Sequence, residues 1–201
     1  MSSPDAPAAL CVGLFVGGRA RRFGGFPKGN LRVHDGRTIL ERLSDVVRTA
    51  LPDAPLVLVG EASAYSGLCL PTLPDAPAGI GPLGGLHAVL EHAERSGHSA
   101  VLALAADMPL LGVELVRRLA TVMPEALAVA PRAEGDRWHA LTARYSVRAL
   151  PFVRAAIDDG EHALQRLFAR LGASAAALPV APAEHAELTD WDRPEDRAAR
   201  S

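Results

Sequence analysis

Leu10-Cys11-Val12-Gly13-Leu14-Phe15-Val16-Gly17-Gly18-Arg19-Ala20-Arg21-Arg22-Phe23-Gly24-Gly25-Phe26-Pro27-Lys28 is an apolar run that breaks into a glycine-rich, basic loop. Residues 10–16 read as a buried strand, closed by Gly17 and Gly18. Residues 17–30 hold too much glycine and positive charge for a helix. Glycine lets backbone N–H groups approach phosphate oxygens and tolerates the dihedrals of such a cradle. Arg22 and Lys28 would then neutralise a polyphosphate. Two familiar nucleotide loops are excluded: a P-loop needs Ser or Thr after its Lys, where this chain has Gly29, and Gly-x-Gly-x-x-Gly is absent. An ordinary turn with solvated arginines is the alternative reading.

Outward from this loop the chain alternates strand and helix. Thr38 and Glu41 form a capping box ahead of Ile39, Leu43, Val46, Val47 and Ala50 at helical spacing. Residues 56–59 are a strand closed by Gly60, and residues 68–73 a weak extended piece. Leu86, Val89, Leu90 and Ala93 mark a second helix after the Pro/Gly-rich stretch 74–85. Residues 100–105 form a strand without a polar face, as expected where helices cover both sides of a parallel sheet. Leu115, Val116, Leu119 and Val122 mark a third helix, and residues 126–130 another strand. Beyond lie a strand at 139–145, helical stretches at 147–157 and 162–171, a strand at 175–180 and a short helix opened by Pro194. The alternation predicts an α/β fold, a doubly wound, mostly parallel sheet with helices on both faces. Residues 1–9 read as a disordered leader and 10–201 as a single domain, about the size that buries a full core.

Composition narrows the function. The 201 residues are 49% hydrophobic and 22% charged, with net charge −2, which argues against nucleic acid or an anionic membrane as partner. No apolar run approaches a membrane span. Cys11 and Cys69, far apart on apolar segments, read as buried thiols in a reducing cytoplasm. Of 21 Lys plus Arg, Lys28 is the single lysine, and the single asparagine, Asn30, is two positions on. An ammonium retained amid guanidinium groups is a compact point charge on a flexible stem.

Two carboxylates stand where ligands would lie. Asp107 closes the apolar run 101–106 and precedes Met108-Pro109. An unpaired carboxylate there is costly to bury, so a bound cation is a reasonable partner. Mg²⁺ suits it, taking one or two carboxylates and completing its shell with phosphate and water. Capping the helix near Gly112 is the alternative, at an awkward spacing across Pro109. Asp75 opens a segment containing Gly81-Pro82-Leu83-Gly84-Gly85. A Gly-rich helix start offers N–H donors and close backbone approach, although a merely capped helix entrance reads equally well.

The loop resembles the signature of the molybdenum cofactor guanylyltransferase family, within the nucleotidyltransferase superfamily. Gly18, Arg22, Gly24 and Lys28 fall in its register, while Phe15 and Phe23 replace smaller residues. Asp107-Met108-Pro109 is similar to the family's metal aspartate, and the Asp75 segment to its second motif. The resemblance implies a Rossmann-like nucleotidyltransferase domain that moves GMP from GTP onto molybdopterin and releases pyrophosphate. It implies Arg22, Lys28 and Asp107 as catalytic, with Mg²⁺ on Asp107. It also implies that Phe15, Val16, Gly17, Gly18, Lys28, Gly60, Asp75, Gly81, Pro82, Leu83 and Asp107 line the nucleotide. Molybdoenzyme chaperones are further candidate partners, and the oligomeric state is left open.

The match thins later. Residues 137–145, with His139 and Arg144, resemble a family segment lying toward the pterin. His139 is more often a core or surface residue than a catalyst. Asp190-Trp191-Asp192-Arg193-Pro194-Glu195-Asp196 stands where the family shows Asn-x-Asn-Thr-Pro-Glu-Asp, with both asparagines now aspartates. Gly60 and Glu61 replace an asparagine that the family uses at the base. Transfer of CMP or another nucleotide, or a non-catalytic nucleotide-binding adaptor that delivers cofactor, are the competing functions.

Overall fold

The computed structural model describes residues 9–16 and 27–191. Gly17, Gly18, Arg22, Gly24, Asp192 and the Pro194 helix start therefore lie outside the described residues. The strands are β1 (Leu10–Phe15), β2 (Leu56–Val59), β3 (Thr72–Leu73), β4 (Ala100–Ala105), β5 (Ala128–Ala130), β6 (Thr142–Ser146) and β7 (Ala175–Ala177). The α-helices are α1 (Ile39–Ala50), α2 (Pro82–Arg95), α3 (Val113–Thr121), α4 (Leu150–Asp158) and α5 (Leu164–Leu171). The strands form one sheet in the order β3-β2-β1-β4-β6-β5-β7. All neighbours run parallel except at β6, which is antiparallel to both β4 and β5.

Period-two alternation divides the core into two layers. Leu10, Val12 and Leu14 of β1 and Leu102 and Leu104 of β4 pack on one side with Leu40, Leu43 and Val47 of α1 and Leu115 and Leu119 of α3. Cys11 and Phe15 of β1 and Val101 and Ala103 of β4 face the opposite way, with residues of α2, α4 and α5. Strands buried on both faces have no polar side, which is why they read as continuous apolar runs. The α1 start is built as expected: the Glu41 amide donates to Thr38 Oγ1 at 3.1 Å, and the Thr38 amide to Glu41 Oε2 at 2.7 Å.

Several boundaries move. Most of the extended piece expected at 68–73 is absent: Ser63–Leu68 is a 3₁₀ turn, and only Thr72–Leu73 pairs with the sheet. The strand expected from residue 139 begins at Thr142, because a loop carrying an Arg132–Trp138 bridge reaches into 139–141. Ala9, assigned to the leader, already accepts from the Ser99 amide at 2.8 Å. Cys69 is exposed, correcting the expectation of a buried thiol; it ends the 3₁₀ turn at φ 51°. Cys11 is fully buried, and burial pushes its thiol up to about 11.

β1 lies between β2, reached next in the chain, and β4, reached later. The chain runs outward from β1 to β2 and β3 and then returns to the other side of β1 as β4, so the strand order reverses at the crevice outside the carboxyl ends of β1 and β4. This is the topological switch point at which open α/β sheets bind ligands.

Candidate active site

Asp107 stands two residues past the end of β4, and Lys28 begins the 3₁₀ turn Lys28–Asn30. Across 79 residues of sequence, Lys28 Nζ donates to Asp107 Oδ2 at 3.2 Å, and each side chain is 24% exposed. The pair therefore sits at the crevice mouth in contact with solvent. The Gly112 amide, at the start of α3, donates instead to Glu187 Oε2 at 2.7 Å. Asp107 is thus not spent as a helix cap.

The lysine turn is fastened from outside its own segment. The Gly29 amide donates to the Tyr65 hydroxyl at 3.3 Å, and Asn30 Nδ2 donates to the Ala64 carbonyl at 3.1 Å. The Tyr65 ring lies so close to Gly29 that a Cβ there would be 2.9 Å from Tyr65 Cε1. Glycine is required because the aromatic ring occupies the space beside the backbone. Burial raises the Tyr65 hydroxyl above its ordinary range, keeping it neutral. Sequence reasoning missed Tyr65, whose partner lies 36 residues away. Asn30 carried one signal, as the lone asparagine.

The second arm is the Asp75 segment and the start of α2. Gly81 is the N-cap at φ 74° and ψ −157°, a conformation that side chains disfavour, and Pro82 opens the helix. Asp75 does not cap this helix. No donor pairs with its carboxylate among the described residues, and burial raises its pKa above the usual carboxylate range. Two glycines make room for the loop. A Cβ at Gly84 would stand 2.3 Å from the Pro77 carbonyl oxygen, and one at Gly85 2.9 Å from Asp75 Oδ1. The Ala76 amide donates to the Gly84 carbonyl at 3.1 Å, and His87 Nδ1 donates to the Ala76 carbonyl at 2.7 Å.

The remaining expected residues divide. Val16 is partly exposed, and its amide donates to the Val59 carbonyl at 3.0 Å. Gly60 is buried at φ 103° and donates from its amide to the Leu73 carbonyl at 2.9 Å. Phe15 and Leu83 bury their side chains in the α2 layer of the core, so neither offers a side-chain contact to a ligand. Arg144 is 2% exposed and donates to the Val122 and Met123 carbonyls just past α3, so it serves the end of that helix. His139 is half-buried, and burial lowers its pKa despite the nearby Asp190 carboxylate.

Among the described residues no three His, Cys, Asp or Glu side chains gather to hold a metal. Asp107 is a single carboxylate at a solvent-facing crevice. That donor set does not cage an ion by itself, but it fits Mg²⁺ carried in on phosphate oxygens.

An open sheet that brings a lysine and an aspartate together at its switch point is the arrangement of a nucleotidyltransferase. Residues 13–176 match the family described as the MobA-like NTP transferase domain. A probable molybdenum cofactor guanylyltransferase from Opitutus terrae is 30% identical, covering 94% of each chain. A molybdenum cofactor guanylyltransferase from Rhodobacter capsulatus is 36% identical over 65% of this chain and 68% of its own. The chain belongs to the molybdenum cofactor guanylyltransferase family. Its fold is also that of molybdopterin-guanine dinucleotide biosynthesis protein A from Archaeoglobus fulgidus, at TM-score 0.71 and 22% identity over 94% and 95% of the two chains.

Proposed function

We propose that this protein transfers GMP from GTP to the phosphate of molybdopterin, releasing pyrophosphate, with Mg²⁺ at Asp107. The Lys28–Asp107 pair at the switch point is the observation that carries the reading. The acceptor phosphate attacks the α-phosphorus, its P–O bond forms as the bond to pyrophosphate breaks, and the electron pair leaves on pyrophosphate. Both partners are anions, so the protein's task is to place them and to neutralise charge. Bound Mg²⁺ would supply positive charge across the triphosphate oxygens. Asp107 would hold that ion, and Lys28 would swing from Asp107 toward the phosphates, as a flexible ammonium stem allows. Arg22 and the Gly17 and Gly18 amides would complete the cradle, while Asp75 accepts from the guanine N1 and N2 edge. The α2 start at Gly81 and Pro82 would line the nucleotide, and Gly60 and Val16 would approach it through their main chains.

A carboxylate held partly buried without a donor is an acceptor kept ready for a ligand's N–H groups. We also place the protein in the cytoplasm. None of the described helices is long and apolar enough to cross a membrane, and both cysteines are free thiols, as a reducing compartment would keep them. The deciding experiment measures pyrophosphate release with GTP, CTP and ATP, with and without molybdopterin. Release that needs GTP and molybdopterin together is expected. Preference for CTP would move the chain to cytidylyl transfer, and no release with any nucleotide would favour a silent adaptor.

A further inference from the structure

We infer that Trp191 is a positioning residue that holds the lysine turn and the aspartate loop in one register. Its backbone amide donates to the Asp107 carbonyl at 2.9 Å. Its indole, 5% exposed, fills a small separate core with Leu31 and Ile39, against which Val33 packs. That socket belongs to the lysine side of the site. The Leu31 amide donates to the Lys28 carbonyl at 2.9 Å, closing the turn, and the Ile39 amide donates to the Leu31 carbonyl at 2.9 Å.

One residue near the chain's end therefore grips the main chain of Asp107 while its side chain plugs the socket behind Lys28. Where Lys28 and Asp107 meet through flexible side chains, Trp191 fixes the separation of their backbones. The geometry matters because misplacement of a charge-neutralising group by about 1 Å can cost on the order of 100-fold in rate. A large rigid side chain suits this role, since an indole fills the socket with few rotamers to lose. The neighbouring elements reinforce the placement. Pro182–Leu188, just before Trp191, is pinned to the start of α3 by Glu187 on Gly112, and Arg118 pairs with Glu184. The strap is thus anchored before it reaches the site, and Trp191 is its working end.

The kinetic half of the test rests on the proposed transfer activity, whereas hydrogen exchange does not. In Trp191→Ala, peptides spanning residues 27–33 and 106–110 should both exchange at least about threefold faster, with peptides from β1 and β4 unchanged. Turnover should fall by about tenfold while KM for GTP stays within about twofold, and Trp191→Phe should recover most of it. Faster exchange in neither segment, or in only one, overturns the proposal, and so does an unchanged kcat. If Trp191→Ala fails to fold, Leu31→Ala opens the same socket from the lysine side. The same paired exchange and kcat loss are expected there, and their absence overturns the proposal. A wild-type protein that releases no pyrophosphate from any nucleotide would defeat the functional reading, while the exchange result would still decide whether Trp191 couples the two segments.

Discussion

Lys28 Nζ and Asp107 Oδ2 lie 3.2 Å apart across the mouth of the crevice, each side chain retaining about a quarter of its exposure. An ion pair in contact with water stabilises a fold by roughly 0–1 kcal/mol. Both groups can therefore be altered without unfolding the chain, which makes the pair accessible to direct test.

Asp107→Asn should fold normally and lose transfer. Losing the charge that would hold the cation should lower kcat by at least ~100-fold, about 2.7 kcal/mol of transition-state stabilisation. Thermal unfolding of the variant and pyrophosphate release across a Mg²⁺ titration check this. Near-normal turnover at saturating Mg²⁺ would remove the metal assignment.

Lys28→Arg should behave as a severe change. Lys28 meets a single oxygen of Asp107 at 3.2 Å as a compact point charge, whereas a guanidinium is a planar fork that presents its donors in a fixed geometry. We expect kcat/KM for GTP to fall by about tenfold or more, at least ~1.4 kcal/mol. Wild-type kcat/KM in this variant would mean that the lone lysine carries no special role.

Tyr65→Phe leaves the buried Gly29 amide without its acceptor. Such a loss costs about 1–3 kcal/mol, and the 3.3 Å bond places this one near the low end. A fall in Tm of roughly 2–4 °C is expected for a chain of this size. Turnover should drop with it, because the turn that carries Lys28 loosens. A variant with unchanged Tm and unchanged kcat would show that the hydroxyl holds nothing.

Asp75→Asn should stabilise the protein at neutral pH and weaken base discrimination. The Asp75 pKa is raised by burial, so its proton is held more tightly in the folded than in the unfolded chain. The favourable contribution is present below the unfolded carboxylate pKa and is lost as pH rises through the folded value. At pH 7 the charged carboxylate is a net cost that asparagine removes. Urea unfolding should show Asp75→Asn gaining on wild type as pH rises from 4 to 7. An amide oxygen accepts less strongly than a carboxylate, and its NH₂ opposes guanine donors, so the GTP-over-ATP ratio in kcat/KM should fall about tenfold. An unchanged ratio would move base recognition elsewhere.

The strand–helix alternation, the Thr38–Glu41 capping box and the first strand were legible in the sequence because each depends on neighbours within a few positions. Apolar runs without a polar face could only be strands covered on both sides, and the sheet has that form. Lys28 and Asp107 were also marked locally, one by being the single lysine and the other by closing an apolar strand. What no local pattern carries is separation in space. The antiparallel seat of β6, between β4 and β5, depends on which distant strands flank it in the sheet and not on the composition of Thr142–Ser146. Phe15 and Leu83, read as nucleotide contacts, turn their side chains into the core because strand pleat and helix phase aim them there. Arg144 ends at the close of α3 and away from the site for a similar reason: its neighbour on that face is a helix end some 20 residues back. Tyr65 and Trp191 became visible only in three dimensions, since hydrogen bonds to Gly29 and Asp107 join segments that the chain itself keeps far apart.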